Sequence, residues 1–382
     1  MYSLDTHGAF ISNRVRTNTY RQALRWAVQP GAVVVDVGTG SGIFALLACK
    51  MGARRVYAIE LGDIIQVARD LAAANGFAER MTFFQAMSTQ IDLPERADVI
   101  ISDIHRPIPL FGLVISAIID ARQRFLAPGG RLIPRSATLW AAVVTAPYLH
   151  RRYLGVWGER KFGLNWGAAR QLSINKWRLC HLGPDHLLVS PQCWGNLDYR
   201  TITSPNLAGE FTWEIDHPGT AHGLLLWFDA ELAPGIGFSN APGAPKLPFA
   251  QTFLPWPQPV GLTRGDLVAG SFSGHLVGEE YIWQWDTRIL EPGKTPRPKA
   301  DFHQSTFLGM PLAPAMFEQM SQSYLPELNQ AGLIERFILE RMDGHNSLQE
   351  IAQQVAARFS GRFARASEAL GRVQELARKY SH

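Results

Sequence analysis

Val33-Val-Val-Asp-Val-Gly-Thr-Gly-Ser-Gly42, followed one helix-length later by Val56-Tyr-Ala-Ile-Glu60, decides how this chain folds. The valine run reads as a parallel strand buried on both faces, the glycines as a sharp turn, and the second apolar run as another strand ending in an acid. That order cradles a nucleotide-like ligand: glycines let the backbone come close, and an acid about 20 residues on accepts two ribose hydroxyls. Gly38, Gly40 and Gly42 are spaced G-x-G-x-G, which departs from the G-x-G-x-x-G dinucleotide fingerprint. Asp36 stands just before the turn, where it can meet the ammonium of an amino-acid moiety. A ligand that is adenosine at one end and an amino acid at the other is S-adenosylmethionine.

Upstream lies His7-Gly-Ala-Phe-Ile-Ser-Asn-Arg-Val-Arg-Thr-Asn-Thr-Tyr20. It resembles the segment before the cofactor strand in protein arginine methyltransferases, with Asn13 where that family usually has Asp. Met87-Ser-Thr, Ala97-Asp-Val-Ile-Ile-Ser-Asp103, Leu126-Ala-Pro-Gly-Gly-Arg-Leu-Ile-Pro134 and Pro134-Arg-Ser-Ala-Thr138 continue in the same order. So do Leu224-Leu-Leu-Trp-Phe-Asp-Ala-Glu231, Gln251 and Leu262-Thr-Arg-Gly-Asp-Leu-Val-Ala-Gly270, which are similar to the family's barrel. The resemblance implies that Arg16 pairs with the methionine carboxylate, a bidentate contact suited to a guanidinium. It also implies that His7, Phe10 and Tyr20 fold over the cofactor, that Glu60 with Leu61 takes the ribose, and that Met87 and Ser88 lie against the adenine.

The pattern breaks on the acceptor side. The family carries two glutamates after the fourth strand, because a guanidinium, protonated at any ordinary pH, is a poor nucleophile that must be held and polarised. Here that stretch is Ser102-Asp-Ile-His-Arg-Pro-Ile-Pro-Leu-Phe-Gly-Leu113. Asp103 stands at the first glutamate's position, and no further acid occurs until Asp120. The family's Thr-His-Trp loop is replaced by Lys246-Leu-Pro-Phe-Ala-Gln251, which keeps only the glutamine. Asp103 and His105 are therefore the candidate catalytic residues, His105 as a general base and Arg106 as a grip on an acidic acceptor. An equally open reading makes His105 and Arg106 solvated loop residues shaped by Pro107 and Pro109.

Composition bounds the rest. Of 382 residues, 46% are hydrophobic and 18% charged, which indicates packed globular structure. A net charge of +4 and a pI near 9.0 are too weak and too evenly spread for a nucleic-acid partner. Cys49, Cys180 and Cys193 lack metal-ligand spacing, so no metal is expected and reduced thiols in a cytoplasm are. No signal-like or long apolar run suggests secretion or a membrane. Residues 148–185 are rich in Arg, Trp and Tyr, an interface-like composition where the resembling family places its dimerisation arm, so a homodimer is expected.

Glu291-Pro-Gly-Lys-Thr-Pro-Arg-Pro-Lys299 reads as a linker. Beyond it the period is helical: Leu333 to Met342 is amphipathic, Ser347-Leu-Gln-Glu350 is a capping box, and a last helix is expected from about Phe363 to Tyr380. Met342-Asp-Gly-His-Asn-Ser-Leu-Gln-Glu-Ile-Ala352 is similar to the small helical modules of the peptide-binding protein of pyrroloquinoline quinone synthesis. A purely structural cap is an open alternative; a helix-turn-helix lacks a basic face here.

The expected fold is α/β plus β: a Rossmann-like class I methyltransferase domain over 1–134, a β-barrel with its arm over 135–290, and a helical domain over 300–382. The expected activity is S-adenosylmethionine-dependent methyl transfer to a nitrogen of a peptide, protein or small amine-type acceptor, diverged from arginine methylation. Two alternatives stand beside it: a non-catalytic docking scaffold that binds the cofactor, and true arginine methylation with a rearranged acid pair.

Overall fold

A computed structural model of the protein describes residues 3–103, 105–158, 160–293, 297–311, 313, 318–319 and 321–381. Five parallel strands form its first sheet: β1 (Val33–Val37), β2 (Arg55–Ile59), β3 (Met81–Phe84), β4 (Ala97–Ile101) and β5 (Leu126–Ile133), in the order β3-β2-β1-β4-β5. All five residues of the central β1 are buried, as a parallel strand covered on both faces requires. The crossovers are α3 (Ile43–Lys50), α4 (Ile65–Ala74) and α5 (Val114–Phe125).

Two helices precede the sheet, α1 (Leu4–Ser12) and α2 (Arg14–Ala27). Asn13 both ends α1 and caps α2, its side chain accepting the Arg16 N–H at 3.0 Å. A short polar residue at that junction satisfies one of the orphan donors of the second helix. The same amide donates to the carbonyl of Lys246 at 3.0 Å, tying the helix junction to the second half of the unit.

That half is antiparallel. One sheet runs β7-β12-β10-β6-β8 and the other β15-β14-β13-β9. They comprise β6 (Ser136–Val144), β7 (Arg178–Cys180), β8 (Gln192–Asp198), β9 (Leu207–Glu214), β10 (Gly219–Ala233), β12 (Gln251–Leu262), β13 (Leu267–Val277), β14 (Glu280–Leu290) and β15 (Pro298–Ser305). β11 (Ile236–Ser239) hairpins onto β10. Most of the apolar core of the parallel sheet and of the antiparallel strands forms one continuous cluster, from Val34 and Ile100 through Leu139 and Leu226 to Trp285. Between β6 and β7 the chain is mostly helical, ending in Gly167–Ile174.

The 291–299 segment differs from its reading as a linker. Pro298–Ser305 pairs with β14, and the Glu291 N–H donates to the Arg297 carbonyl at 2.8 Å, so both ends of the segment belong to the first compact unit, which runs to Met310. Proline and glycine mark a turn between strands as readily as a boundary between domains. Lys299, inside the expected linker, is ion-paired at 2.6 Å with the wholly buried Asp266.

The second unit, Pro311–His382, packs the helices Gln330–Leu339, Leu348–Arg358 and Ala366–Tyr380 around Ile334, Ile338, Ile351, Val355 and Val373. Ser347 and Glu350 make the reciprocal capping box. The last helix begins three residues later than expected, at Ala366. No helix among the described residues is long and apolar enough to cross a membrane.

Candidate active site

The turn after β1 is hung on the end of β2: the N–H groups of Gly38 and Thr39 donate to the Ile59 carbonyl at 2.8 and 2.9 Å. Gly38, Gly40 and Gly42 take φ values of +74°, +55° and +85°, left-handed conformations that a side chain resists. Gly40 is also crowded, because a Cβ there would stand 2.8 Å from the His7 ring. Gly38 faces open space, with nothing within 4 Å of such a Cβ. A ligand can therefore lie directly on its backbone.

This turn opens onto a cavity of about 310 Å³ whose walls include His7, Phe10, Arg16, Gly38, Gly40, Glu60 and Asp103. Glu60 sits at the end of β2, its two carboxylate oxygens accepting the N–H groups of Gly40 at 3.1 Å and Gly62 at 2.9 Å. Those bonds fix the carboxylate at the cavity wall and leave lone pairs for hydroxyl donors. Burial holds the His7 imidazole below its ordinary pKa, partly offset by the Glu60 charge.

Also on the cavity wall, Arg16 grips Asp103. Its Nε donates at 2.7 Å to Asp103 Oδ2, a terminal nitrogen donates to the same oxygen, and its other terminal nitrogen caps the Phe10 carbonyl at 3.2 Å. The guanidinium also lies over the Phe44 ring at 4.8 Å. Burial alone would push the Asp103 carboxyl up; the Arg16 charge, together with His105, overrides it and brings it down to about 2. Tyr20 donates its hydroxyl to Asp103 Oδ1 at 3.0 Å, and burial with the Asp103 charge pushes that phenol far above its ordinary value.

His105 is neither solvated nor on the cavity wall. It is 2% exposed, stacked at 5.2 Å on Phe228 and edge-on at 4.9 Å to Phe238. Its Nδ1 lies 3.1 Å from the Tyr20 hydroxyl and 3.4 Å from Asp103, while Nε2 has no hydrogen-bond partner among the described residues. The loop 102–113 that carries it is packed against the antiparallel sheet. Asn240 accepts the Phe228 N–H at 2.8 Å and donates both to the Ala250 carbonyl at 2.8 Å and to Pro107 in the loop at 3.4 Å.

The remaining expected site residues divide by where their atoms go. Asp36 does not line the cavity: it is buried, accepting the Thr39 hydroxyl at 2.7 Å and the Ala45 N–H at 3.1 Å, and burial raises its carboxyl to about 7. It braces the turn from behind. Gly42 packs on Ala68, and Tyr20 stacks on Phe44 inside the core. Leu61, Met87 and Ser88 lie outside the cavity wall; Leu61 is largely exposed, and the Ser88 carbonyl accepts from Arg124. Asp120 is committed to Arg124 at 2.6 Å on α5. Gln251 bonds Leu182 and Asn240 and is wholly internal. The sequence reading missed Thr39, Ser41, Ile43, Phe44 and Ile64 on the wall. The two hydroxyls were legible as the variable positions of the glycine turn; the apolar three carried no signal beyond helix periodicity.

A parallel sheet of this order, with a glycine turn and an acid at the carboxyl ends of β1 and β2, is a Rossmann-like methyltransferase fold. Residues 16–135 match the family model described as ribosomal protein L11 methyltransferase, and residues 135–277 match that of the arginine methyltransferase oligomerization subdomain. The chain is 30% identical over 264 residues to protein arginine N-methyltransferase 6 of Xenopus laevis, covering 65% of this chain and 77% of that one. It is 29% identical over 236 residues to probable protein arginine N-methyltransferase 6 of Arabidopsis thaliana, covering 59% of this chain. The match spans about half, 54%, of that relative's length. Among solved structures, the Trypanosoma brucei PRMT1 enzyme-prozyme heterotetrameric complex with AdoHcy aligns with a TM-score of 0.71 at 20% identity, over 79% of this chain and 98% of that one. The chain belongs to the protein arginine N-methyltransferase family.

Proposed function

We propose that this protein transfers the methyl group of S-adenosylmethionine to a nitrogen of a peptide or protein, with an arginine guanidine as the leading acceptor. The observation that carries the cofactor is the pairing of Gly40 and Glu60 at the cavity wall, beside the open backbone of Gly38. Glu60 suits the two ribose hydroxyls, and Arg16, which lines the same cavity, suits the amino-acid carboxylate. S-adenosylmethionine, when bound, would supply a sulfonium methyl, the carbon–sulfur electron pair staying on sulfur as the carbon–nitrogen bond forms and the nitrogen's proton passing to water.

The names of the relatives favour arginine as acceptor over the more diverged chemistry that led the sequence reading. Asp103 is the carboxylate placed to receive it. With a pKa near 2 it stays ionised at neutral pH, so it can orient a cationic guanidinium but is a poor proton acceptor. Among the described residues of the 102–113 loop it is the sole acid, and it is already engaged by Arg16. That engagement favours a second reading, in which the acceptor is a different nitrogen, or the second acid comes from a partner subunit or the substrate. We further propose self-association through 148–185, where Tyr148, Phe162 and Leu164 are exposed in a subdomain matched by the oligomerization model.

Calorimetric titration with S-adenosylmethionine comes first. Saturable binding that Glu60→Ala weakens by at least about tenfold supports the cofactor assignment. Mass spectrometry of peptides incubated with enzyme and cofactor then locates the methylated atom. Binding without transfer to any peptide would leave a docking scaffold; no binding would sink the methyltransferase reading.

A further inference from the structure

Apart from this cavity, a second one of about 370 Å³ lies along the β5 edge of the parallel sheet, sharing no residue with the first. Its wall carries four arginines, Arg122, Arg131, Arg135 and Arg200, with Trp26 and Pro234 beside them. Two of these charges are answered. Arg200 pairs with Asp198 at 2.6 Å, and Arg135 stands 3.4 Å from Glu231. The other two form no ion pair among the described residues.

Arg122 donates at 2.6 Å to the carbonyls of both Tyr199 and Ile202, and Arg131 donates to the carbonyls of Trp26 and, at 3.1 Å, Ala27. Arg131 also lies over the Trp26 ring at 4.5 Å. These contacts hold each guanidinium in place while using only part of its five donors, and a carbonyl leaves the positive charge uncancelled. The result is a preorganised cavity with an excess of two positive charges. Arginine presents paired donors suited to phosphate oxygens, and a phosphate monoester carries roughly −1.5 to −2 at neutral pH.

We propose that this arginine-lined cavity is an anion site for a phosphate monoester dianion, separate from the methyl-transfer centre. Two sources share that chemistry, free phosphate and a phosphorylated side chain of a peptide. The test is calorimetry of the full chain at low ionic strength with inorganic phosphate and with a phosphoserine peptide, on wild type, Arg131→Gln and Pro234→Glu. Arg131→Gln removes one charge but also a backbone tie. Pro234→Glu leaves every arginine in place and adds a negative charge at an exposed wall position. Thermal melting reports whether each variant folds.

Saturable binding of either probe, weakened about tenfold or more in folded Pro234→Glu, supports the site. A tighter peptide identifies a phosphorylated chain as the source, and equal affinity identifies free phosphate. Absence of saturable heat with both probes, or affinity unchanged in Pro234→Glu, overturns it and leaves the arginines as backbone ties.

Discussion

Arg16 and Asp103, 87 positions apart, form an ion pair that closes one wall of the candidate active site. The side chains are 5% and 15% exposed, so the pair sits where water screens it poorly. The helix before the sheet and the strand end after it thereby meet through charge.

Removing one partner leaves the other buried and uncompensated. Arg16→Met is expected to cost about 3–5 kcal/mol. The Arg16→Met/Asp103→Asn double variant should lose much less than the sum of the two single changes, as direct coupling requires. Urea denaturation of the four proteins measures this; additivity would mean the contact contributes nothing.

Asp36 gives a pH signature. Its carboxyl is raised to about 7 by burial, against about 3.9 in an unfolded chain, so the folded state holds the proton more tightly. Its contribution to stability is present below about pH 4 and is lost as pH rises through 7. Asn keeps an acceptor oxygen for Thr39 and Ala45 but cannot ionise. Asp36→Asn should therefore gain on wild type progressively between about pH 4 and 7, read from unfolding midpoints across that range. A parallel pair of curves would refute the assignment.

Gly40 combines a φ of +55° with a hypothetical Cβ 2.8 Å from His7. Gly40→Ala should cost about 1–2 kcal/mol from the backbone alone. It should also displace His7 and weaken cofactor binding. Adding His7→Ala relieves the clash but not the backbone strain, so partial recovery of binding is the expected calorimetric result.

His105 tests the proton-transfer idea directly. Because its ring is packed among Phe228, Phe238 and Tyr20 rather than on the cavity wall, His105→Ala should cost stability on the scale of a buried ring, about 3–5 kcal/mol. His105→Asn should leave the shape of the pH–rate profile unchanged. Disappearance of a limb of that profile would instead make His105 the base.

Glycine chemistry and a continuous apolar run are local signals, which is why the cradle at Gly38, Gly40 and Glu60 and the buried β1 could be read directly from the chain. Commitments of polar side chains are not local. Asp36 has the right position to meet a ligand, yet Thr39 and Ala45 both donate to its Oδ2, a commitment that only the folded turn reveals. Arg16 has the right type to hold a carboxylate, and the chain alone did not show that its Nε and one terminal nitrogen are already given to Asp103. Composition likewise marks 291–299 as irregular without revealing that β15 returns to pair with β14.

The Asn240 amide has a consequence for how this protein diversifies. It joins the β10–β12 sheet to Pro107, at the centre of the loop that presents Asp103. The loop carrying Asp103 is thereby held from the antiparallel sheet, whereas the glycine turn is held by Ile59 and Glu60 at the end of β2. If the proposed function holds, substitutions in those strands would alter the acceptor side through Asn240 and Pro107 before they altered the glycine turn, so the two halves of the site could diverge at different rates.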